Sequence, residues 1–313
     1  LEIMGSIVQL SEQVSNQIAA GEVVGRPASV VKELIENAVD AGATDIAVVV
    51  VDAGRTLIQV VDNGKGMSSD DAQLCFKRHA TSKISSADDL LALVTKGFRG
   101  EALASISAVA QVELKTRESE TEMGTRVVLS GSDTGEVEEI ACSEGTQFAI
   151  KNLFFNVPAR RNFLKSDQVE LRHIIDEFQR VAMAHPDLNF RLQSNGSYLF
   201  NLRPGSLRQR VVAIFGAKYD ERLVPLNEST DVVKIIGFVG KPSFSRKTRG
   251  EQFLFVNGRF IKHPLMHKAI MKAYEGVLAP GNFPLYTVFL EVDPKRIDVN
   301  IHPTKVEAKF EED

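Results

Sequence analysis

Apolar residues recur along this chain in two rhythms, and each change of rhythm marks an element. Over residues 27–42, Val30, Val31, Leu34, Ile35, Ala38 and Val39 fall at three- and four-residue steps. At about 100° per residue they gather on one half of a helix. Pro27 suits its first turn and Gly42 the position just past its end. A shorter helical pattern precedes it over residues 15–25, with Ser15 as its cap. The β-branched runs of "TDIAVVVVDAGRTLIQVVDNG" predict a hairpin about Ala53-Gly54, and "HPDLNFRLQSNGSYLFNL" predicts another about Asn195-Gly196. Strands are expected at 111–117, 125–130 and 146–150, a helix within "GEALASISAVA", and a long helix over 167–184. Further on, strands are expected near 233–240, 252–256 and 285–292, with a "VNGR" turn and a helix over 264–278.

Long helices mixed with mainly hairpin-joined strands predict an α+β layered fold. The 313 residues exceed what one core usually fills. "RPGSL" at 203–207 has linker chemistry, so the expected units are 1–204 and 205–313. Composition changes this picture little: 43% hydrophobic and 25% charged residues describe an ordinary globular chain. The longest apolar runs, such as "IAVVVV", are strand length and too short to span a bilayer. Two cysteines, Cys75 and Cys142, argue against a disulfide framework and for a reducing compartment. A net charge of −4 excludes a molecule dressed for nucleic acid over its whole surface, and leaves room for a local basic groove.

Candidate chemistry begins on the 27–42 helix. Glu33 and Asn37, four residues apart, border its apolar arc, whereas Glu36 lies further round and is expected to meet water. An amide oxygen can ligate Mg²⁺, which takes few protein ligands, and a carboxylate one turn away can deprotonate a water. The competing reading is an ordinary helix edge, whose polar residues only cap or solvate it. "DNGKGM" at 62–67 then follows a nearly continuous apolar strand. There Asp62 can accept a hydrogen bond from a base amino group, while Gly64 and Gly66 clear the backbone for a flat ligand. Tight-turn chemistry is the competing reading of D-N-G. In "GFRGEALASI", two glycines ahead of a helix expose N–H groups suited to phosphate, or serve only the loop-to-helix junction. "HATSK" upstream offers hydroxyls and Lys83, as phosphate ligands or as a solvated turn.

A helix with Glu and Asn, then D-x-G-x-G, then a glycine-rich lid before a helix resembles the GHKL ATP-binding fold, shared by gyrase, heat-shock chaperones, histidine kinases and MutL. Within it, "IAAGEVVGRPASVVKELIENAVDAGAT", "RHATSKI", "GFRGEALASI", "LFFNVPARRNFLK", "FVNGRFI" and "VNIHPTKVEAKF" are similar to the MutL mismatch-repair proteins almost end to end. The resemblance implies a Bergerat-type α/β sandwich, followed by a smaller α/β domain as in gyrase and ribosomal proteins. It makes Glu33 the general base of ATP hydrolysis, Asn37 the Mg²⁺ ligand and Asp62 the adenine reader, with Gly66 and Thr146 beside it. Phe98, Arg99 and Gly100 become the lid around the phosphates, Lys83 lies nearby, and Lys305 of "HPTK" reaches the γ-phosphate from the second domain.

The same resemblance implies a DNA mismatch repair ATPase that binds Mg-ATP and hydrolyses it slowly. ATP would pair two copies through leading arms (about residues 1–20) and close a clamp on DNA, in company with a mismatch-recognition protein of the MutS type. The setting would be cytoplasmic in a bacterium and nuclear in a eukaryote. The endonuclease metal site of some members is not expected within these residues. DNA contact is expected to be largely sequence-independent, through Arg259, Lys262, Lys268 and Lys272, with further basic residues at 241–249 and at Arg160-Arg161. The alternative is a scaffold that uses nucleotide only as a signal, without turnover.

Overall fold

In the computed structural model, residues 18, 20–21, 23–82, 100–131, 133–294, 297–298 and 309–310 are described. The predicted first long helix, α1, runs Pro27–Asp40. Pro27 stands in its first turn, where a missing N–H costs nothing. Gly42, at φ +76°, ends it in the left-handed conformation that a side chain would resist. Val30, Val31, Leu34, Ile35 and Ala38 are buried, as the apolar stripe predicts.

That stripe lies on an eight-stranded sheet in the order β5-β4-β3-β6-β2-β1-β7-β8. The strands are β1 (Asp45–Val51), β2 (Leu57–Asp62), β3 (Gln111–Arg117), β4 (Gly124–Ser130), β5 (Asp133–Ile140), β6 (Gly145–Lys151), β7 (Asn189–Ser194) and β8 (Ser197–Leu202). Both predicted hairpins form, with Ala53 and Gly54 at φ 52° and 84° and Asn195 and Gly196 at φ 46° and 81°. β1 and β7 pair in parallel. Short helices α2 (Ser69–Leu74), α3 (Ala102–Val109) and α4 (Pro158–Phe163) and the long α5 (Asp167–Ala184) complete the first unit. β1, β2, β3 and β7 alternate buried with half-buried positions, so one face meets the helices.

A helix that the sequence pattern does not predict, α6 (Leu207–Phe215), starts where a linker was expected. Ser206 and Gln209 close a reciprocal capping box, so "RPGSL" is a helix start. The second sheet has the order β12-β11-β13-β10-β9. Its strands are β9 (Leu223–Ser229), β10 (Val233–Gly240), β11 (Gln252–Val256), β12 (Arg259–Phe260) and β13 (Tyr286–Val292). Helix α7 (Pro264–Ala273), shorter than the predicted 264–278, packs Met266 and Ile270 on it. Among the described residues no helix is long and apolar enough to cross a membrane.

Candidate functional site

The site is built around the last residue of β2. Alternation along that strand turns Ile58, Val60 and Asp62 inward, so a carboxylate occupies a core-facing position with 8% of its surface exposed. Asp62 accepts the Gly64 N–H at 2.9 Å and also the N–H of Thr146, its partner across the β2–β6 ladder. Burial outweighs both donors and pushes its carboxyl up to about 6. The Thr146 hydroxyl lies 3.3 Å from that of Thr116, which hydrogen-bonds the Gly145 carbonyl at 3.0 Å and accepts the Met67 N–H at 2.9 Å. Thr116 is not among the residues the sequence singles out. Its signal was a hydroxyl at an inward position of β3, in phase with Val112 and Leu114.

Backbone forms the rest of the wall. A Cβ on Gly66 (φ +69°) would stand 2.1 Å from the Arg117 carbonyl oxygen, and one on Gly145 would stand 2.1 Å from that of Asp62. The intervening Asn63 accepts the N–H groups of Thr44 and Asp45, both at 2.8 Å, fastening the loop beside the start of β1. Thus D-N-G is both a turn and a wall, with the turn holding Asp62 in place.

The same loop abuts α1. The Lys65 N–H donates to the Ala41 carbonyl at 3.1 Å, and the Ala41 N–H donates to that of Asn37. Asn37 therefore stands one turn from the Asp62 loop and Glu33 one turn further along, both half-buried. Glu36 departs from expectation. It is half-buried, and with Asp40 it lies in electrostatic range of Arg259 from the second sheet. Gly100, at φ +61°, packs where a Cβ would meet the Ala80 carbonyl oxygen at 2.4 Å, and Glu101 comes within 3.8 Å of His79. "HATSK" and the end of the lid motif therefore meet. Lys83, Phe98, Arg99, Lys305 and residues 1–17 lie outside the described residues. A cleft of about 340 Å³ beside Met67, lined by Arg117, Thr121, Met123 and Glu138, includes none of the predicted site residues.

Among the described residues no three His, Cys, Asp or Glu side chains cluster as a protein-made metal cage. A neutral amide and a carboxylate on one helix instead suit Mg²⁺, which uses few protein ligands and shares the rest with phosphate and water.

The predicted DNA residues divide. Lys262, Lys268 and Lys272 are exposed. Arg259 is not: it is half-buried, desolvated, and committed electrostatically to Glu36 and Asp40. Arg160 is likewise engaged, donating to the carbonyls of Gly21 and Val24, while Arg161 is exposed. In the 241–249 stretch, Arg246 pairs with Glu251 at 3.0 Å, leaving Lys241, Lys247 and Arg249 exposed.

Residues 26–151 match the family described as "Histidine kinase-, DNA gyrase B-, and HSP90-like ATPase", and residues 211–313 match "DNA mismatch repair protein, C-terminal domain". The chain is 60% identical over 311 residues to the DNA mismatch repair protein MutL of Flavobacterium psychrophilum, covering 99% of this chain and 51% of that protein. It is 59% identical over 311 residues to MutL of Flavobacterium johnsoniae, covering 99% of this chain and 48% of that one. The chain thus spans about half the length of the curated relatives it matches. Among solved structures it resembles the MutL ATPase domain of Aquifex aeolicus complexed with ADP, with a TM-score of 0.66 and 27% identity, over 87% of this chain and 94% of that one.

Proposed function

Since the chain belongs to the MutL family of DNA mismatch repair proteins, with a GHKL ATPase fold in its first half, we propose that it binds ATP at Asp62 and hydrolyses it to ADP and phosphate. One observation carries this reading: a core-facing carboxylate whose loop is fixed by close backbone contacts at Gly66 and Gly145 and abuts the helix that carries Asn37 and, one turn further along, Glu33. A purely structural turn has no use for a buried acid whose carboxyl is pushed up to about 6.

Asp62 accepts a hydrogen bond from the exocyclic amino group of adenine, and the Thr146 hydroxyl, steadied by the buried Thr116, serves the base edge beside it. Gly66 and Gly100 let their loops close on the Arg117 and Ala80 carbonyls around the nucleotide, and Phe98, Arg99 and Lys83 join the phosphate lid. Asn37 would hold Mg²⁺, which supplies positive charge to the phosphate oxygens when bound. A Glu33 carboxylate oxygen takes the proton of the attacking water as the new oxygen–phosphorus bond forms. The bond from the γ-phosphorus to the bridging oxygen breaks, releasing ADP. Lys305 places a second cation on the γ-phosphate from the other half of the chain, so that half senses its presence. Nucleotide-driven pairing of two copies then closes a clamp on DNA, which couples mismatch recognition by a MutS-type protein to repair. Lys262, Lys268 and Lys272 contact the DNA backbone.

The test is Glu33→Ala. ATP affinity should stay within about threefold, while phosphate release falls at least about a hundredfold, the range for losing a general base. Undiminished turnover in this variant would refute the assignment. Binding without phosphate release by the wild-type chain would instead leave a nucleotide-gated scaffold.

A further inference from the structure

Resting on that reading, we propose that Thr116 is a positioning residue that sets which base the site accepts, by holding the single proton of the Thr146 hydroxyl away from the pocket. Three inward positions share one row across neighbouring strands. Asp62 on β2 is opposite Thr146 on β6, and Thr146 is opposite Thr116 on β3. All three are buried, at 8%, 7% and 0% exposure. Side chains directly opposite on one face stand about 5 Å apart at Cβ. The Thr146 hydroxyl therefore has the Asp62 carboxylate for a neighbour on one side and Thr116 on the other.

Each hydroxyl has one proton to give and two lone pairs to receive with. Thr116 Oγ1 lies 3.0 Å from the Gly145 carbonyl oxygen, which can only accept, so the Thr116 proton goes there. Its lone pairs then meet the Met67 N–H at 2.9 Å and the Thr146 hydroxyl at 3.3 Å. Were Thr116 to donate to Thr146 instead, two buried oxygens would stand 3.0 Å apart with no proton between them. Full burial of Thr116 makes that arrangement costly. Thr146 thus donates to Thr116 and turns lone pairs toward the base. Asp62 is itself an acceptor, its hydrogen bonds coming from the N–H groups of Gly64 and Thr146. Together the two residues form an acceptor-only edge. A 6-aminopurine brings amino protons to that edge. A 6-oxopurine brings a carbonyl oxygen, which meets lone pairs and finds no proton. Specificity of this kind comes from the groups that the wrong ligand leaves unpaired. Releasing the Thr146 proton would undo it, since Thr146 would then donate to the 6-oxygen while Asp62 accepts from the ring N1–H.

Calorimetric titration of the full chain with ADP and with inosine diphosphate tests this, since the two differ at position 6 and in the proton on N1. The wild type should prefer ADP by at least about a hundredfold. Thr116→Val removes the acceptor for the Thr146 proton. The preference should then fall by about tenfold, with inosine diphosphate binding more tightly than it does to the wild type. Thr116→Ser keeps the hydroxyl and should restore the wild-type preference. In the double variant Thr116→Val, Thr146→Val the released proton is gone, and the gain for inosine diphosphate should vanish with it. Should Thr116→Val fail to fold, Thr116→Cys, whose thiol accepts and donates only weakly, gives the same test with a smaller fall. Equal weakening of both nucleotides, with the preference intact, would make Thr116 a structural residue and overturn the inference alone. So would a wild type that binds both nucleotides alike. A wild type that binds neither would overturn the functional reading and the inference with it.

Discussion

Asp62 shows how a single residue can favour function at the expense of the empty fold. Its carboxyl is raised from 3.8 to about 6 by burial. The stability it contributes is therefore complete below 3.8 and is lost as pH rises through about 6, leaving the empty site at neutral pH with a cost of roughly 3 kcal/mol. A base amino group donating to the ionised oxygen offsets that cost. Binding should then require loss of the proton, so ATP affinity is flat above about pH 6 and weakens by up to tenfold per unit below it. Asp62→Asn should remove the pH step and weaken binding about tenfold to a hundredfold, while raising the melting temperature of the free protein at neutral pH. Titration with a fluorescent ATP analogue from about pH 5 to 8, beside thermal melts, checks both outcomes; a variant that binds as well as the wild type would remove Asp62 from the site. The sequence made Asp62 legible because an acid closes an apolar strand. It made Arg160 and Arg259 look like free surface charge, because composition records a charge and not the carbonyl or carboxylate that claims it.

Elements were legible where local chemistry alone decides them. Asn195-Gly196 and Ala53-Gly54 turn their hairpins because those residues tolerate positive φ, and Pro27 and Gly42 bracket α1 for equally local reasons. β5 ("DTGEVEEI") went unseen: an edge strand with its later side chains exposed needs no apolar alternation, and its acids argue against a strand. α6 hid behind Pro204-Gly205-Ser206, where capping and linker chemistry use the same residues. α7 carries the one element-scale prediction. Met266 and Ile270 face its core, leaving Lys268 and Lys272, four residues apart, on an exposed face of a helix without a single acidic residue. Like charges at that spacing destabilise a helix by a few tenths of a kcal/mol (~0.2–0.5), a cost that DNA phosphates would relieve. Replacing Lys262, Lys268 or Lys272 with Ala should weaken duplex binding equally across sequences, each lowering the slope of log K against log salt by about 0.9. Anisotropy titrations at several salt concentrations read this directly. Arg259→Ala should leave the slope unchanged and lower stability instead, and a slope loss there equal to that of the lysines would restore Arg259 to the DNA face.

At the scale of the whole molecule, the chain passes from the first sheet to the second through α6 without leaving the apolar core. One apolar cluster runs from Phe178 and Phe190 of the first unit through Val211 and Ile214 of α6 to Phe253, Phe255 and Leu285 of the second. Arg180 of α5 lies 4.3 Å over the Phe260 ring on β12. Linker chemistry could not reveal this, because whether a segment is free depends on what its neighbours bury. The decisive residue is Arg210, 1% exposed on α6. Its guanidinium donates to the carbonyls of Ala182 at 3.2 Å, Pro186 at 3.0 Å, Leu188 at 2.5 Å and Arg203 at 3.3 Å, all in the first unit. Burial lowers its pKa only to about 10, with the Asp187 carboxylate opposing the shift, so it stays charged at neutral pH, held largely by carbonyl dipoles. Arg210→Met keeps the apolar stem and takes the guanidinium donors from four carbonyls, of which that of Pro186 keeps a second donor in the Gly205 N–H, at a cost of at least about 3 kcal/mol. Lysine cannot mend this, since one ammonium has three donors and no planar fork. Three of the four tyrosines, Tyr219, Tyr274 and Tyr286, lie in the second unit and there is no tryptophan, so tyrosine fluorescence mostly reports that half. In the wild type its loss in urea should coincide with loss of nucleotide binding, as one cooperative transition. In Arg210→Met the two curves should separate, the tyrosine signal changing first. Coincident curves in that variant would mean that the shared apolar core alone joins the halves, and that Arg210 merely satisfies the end of α5.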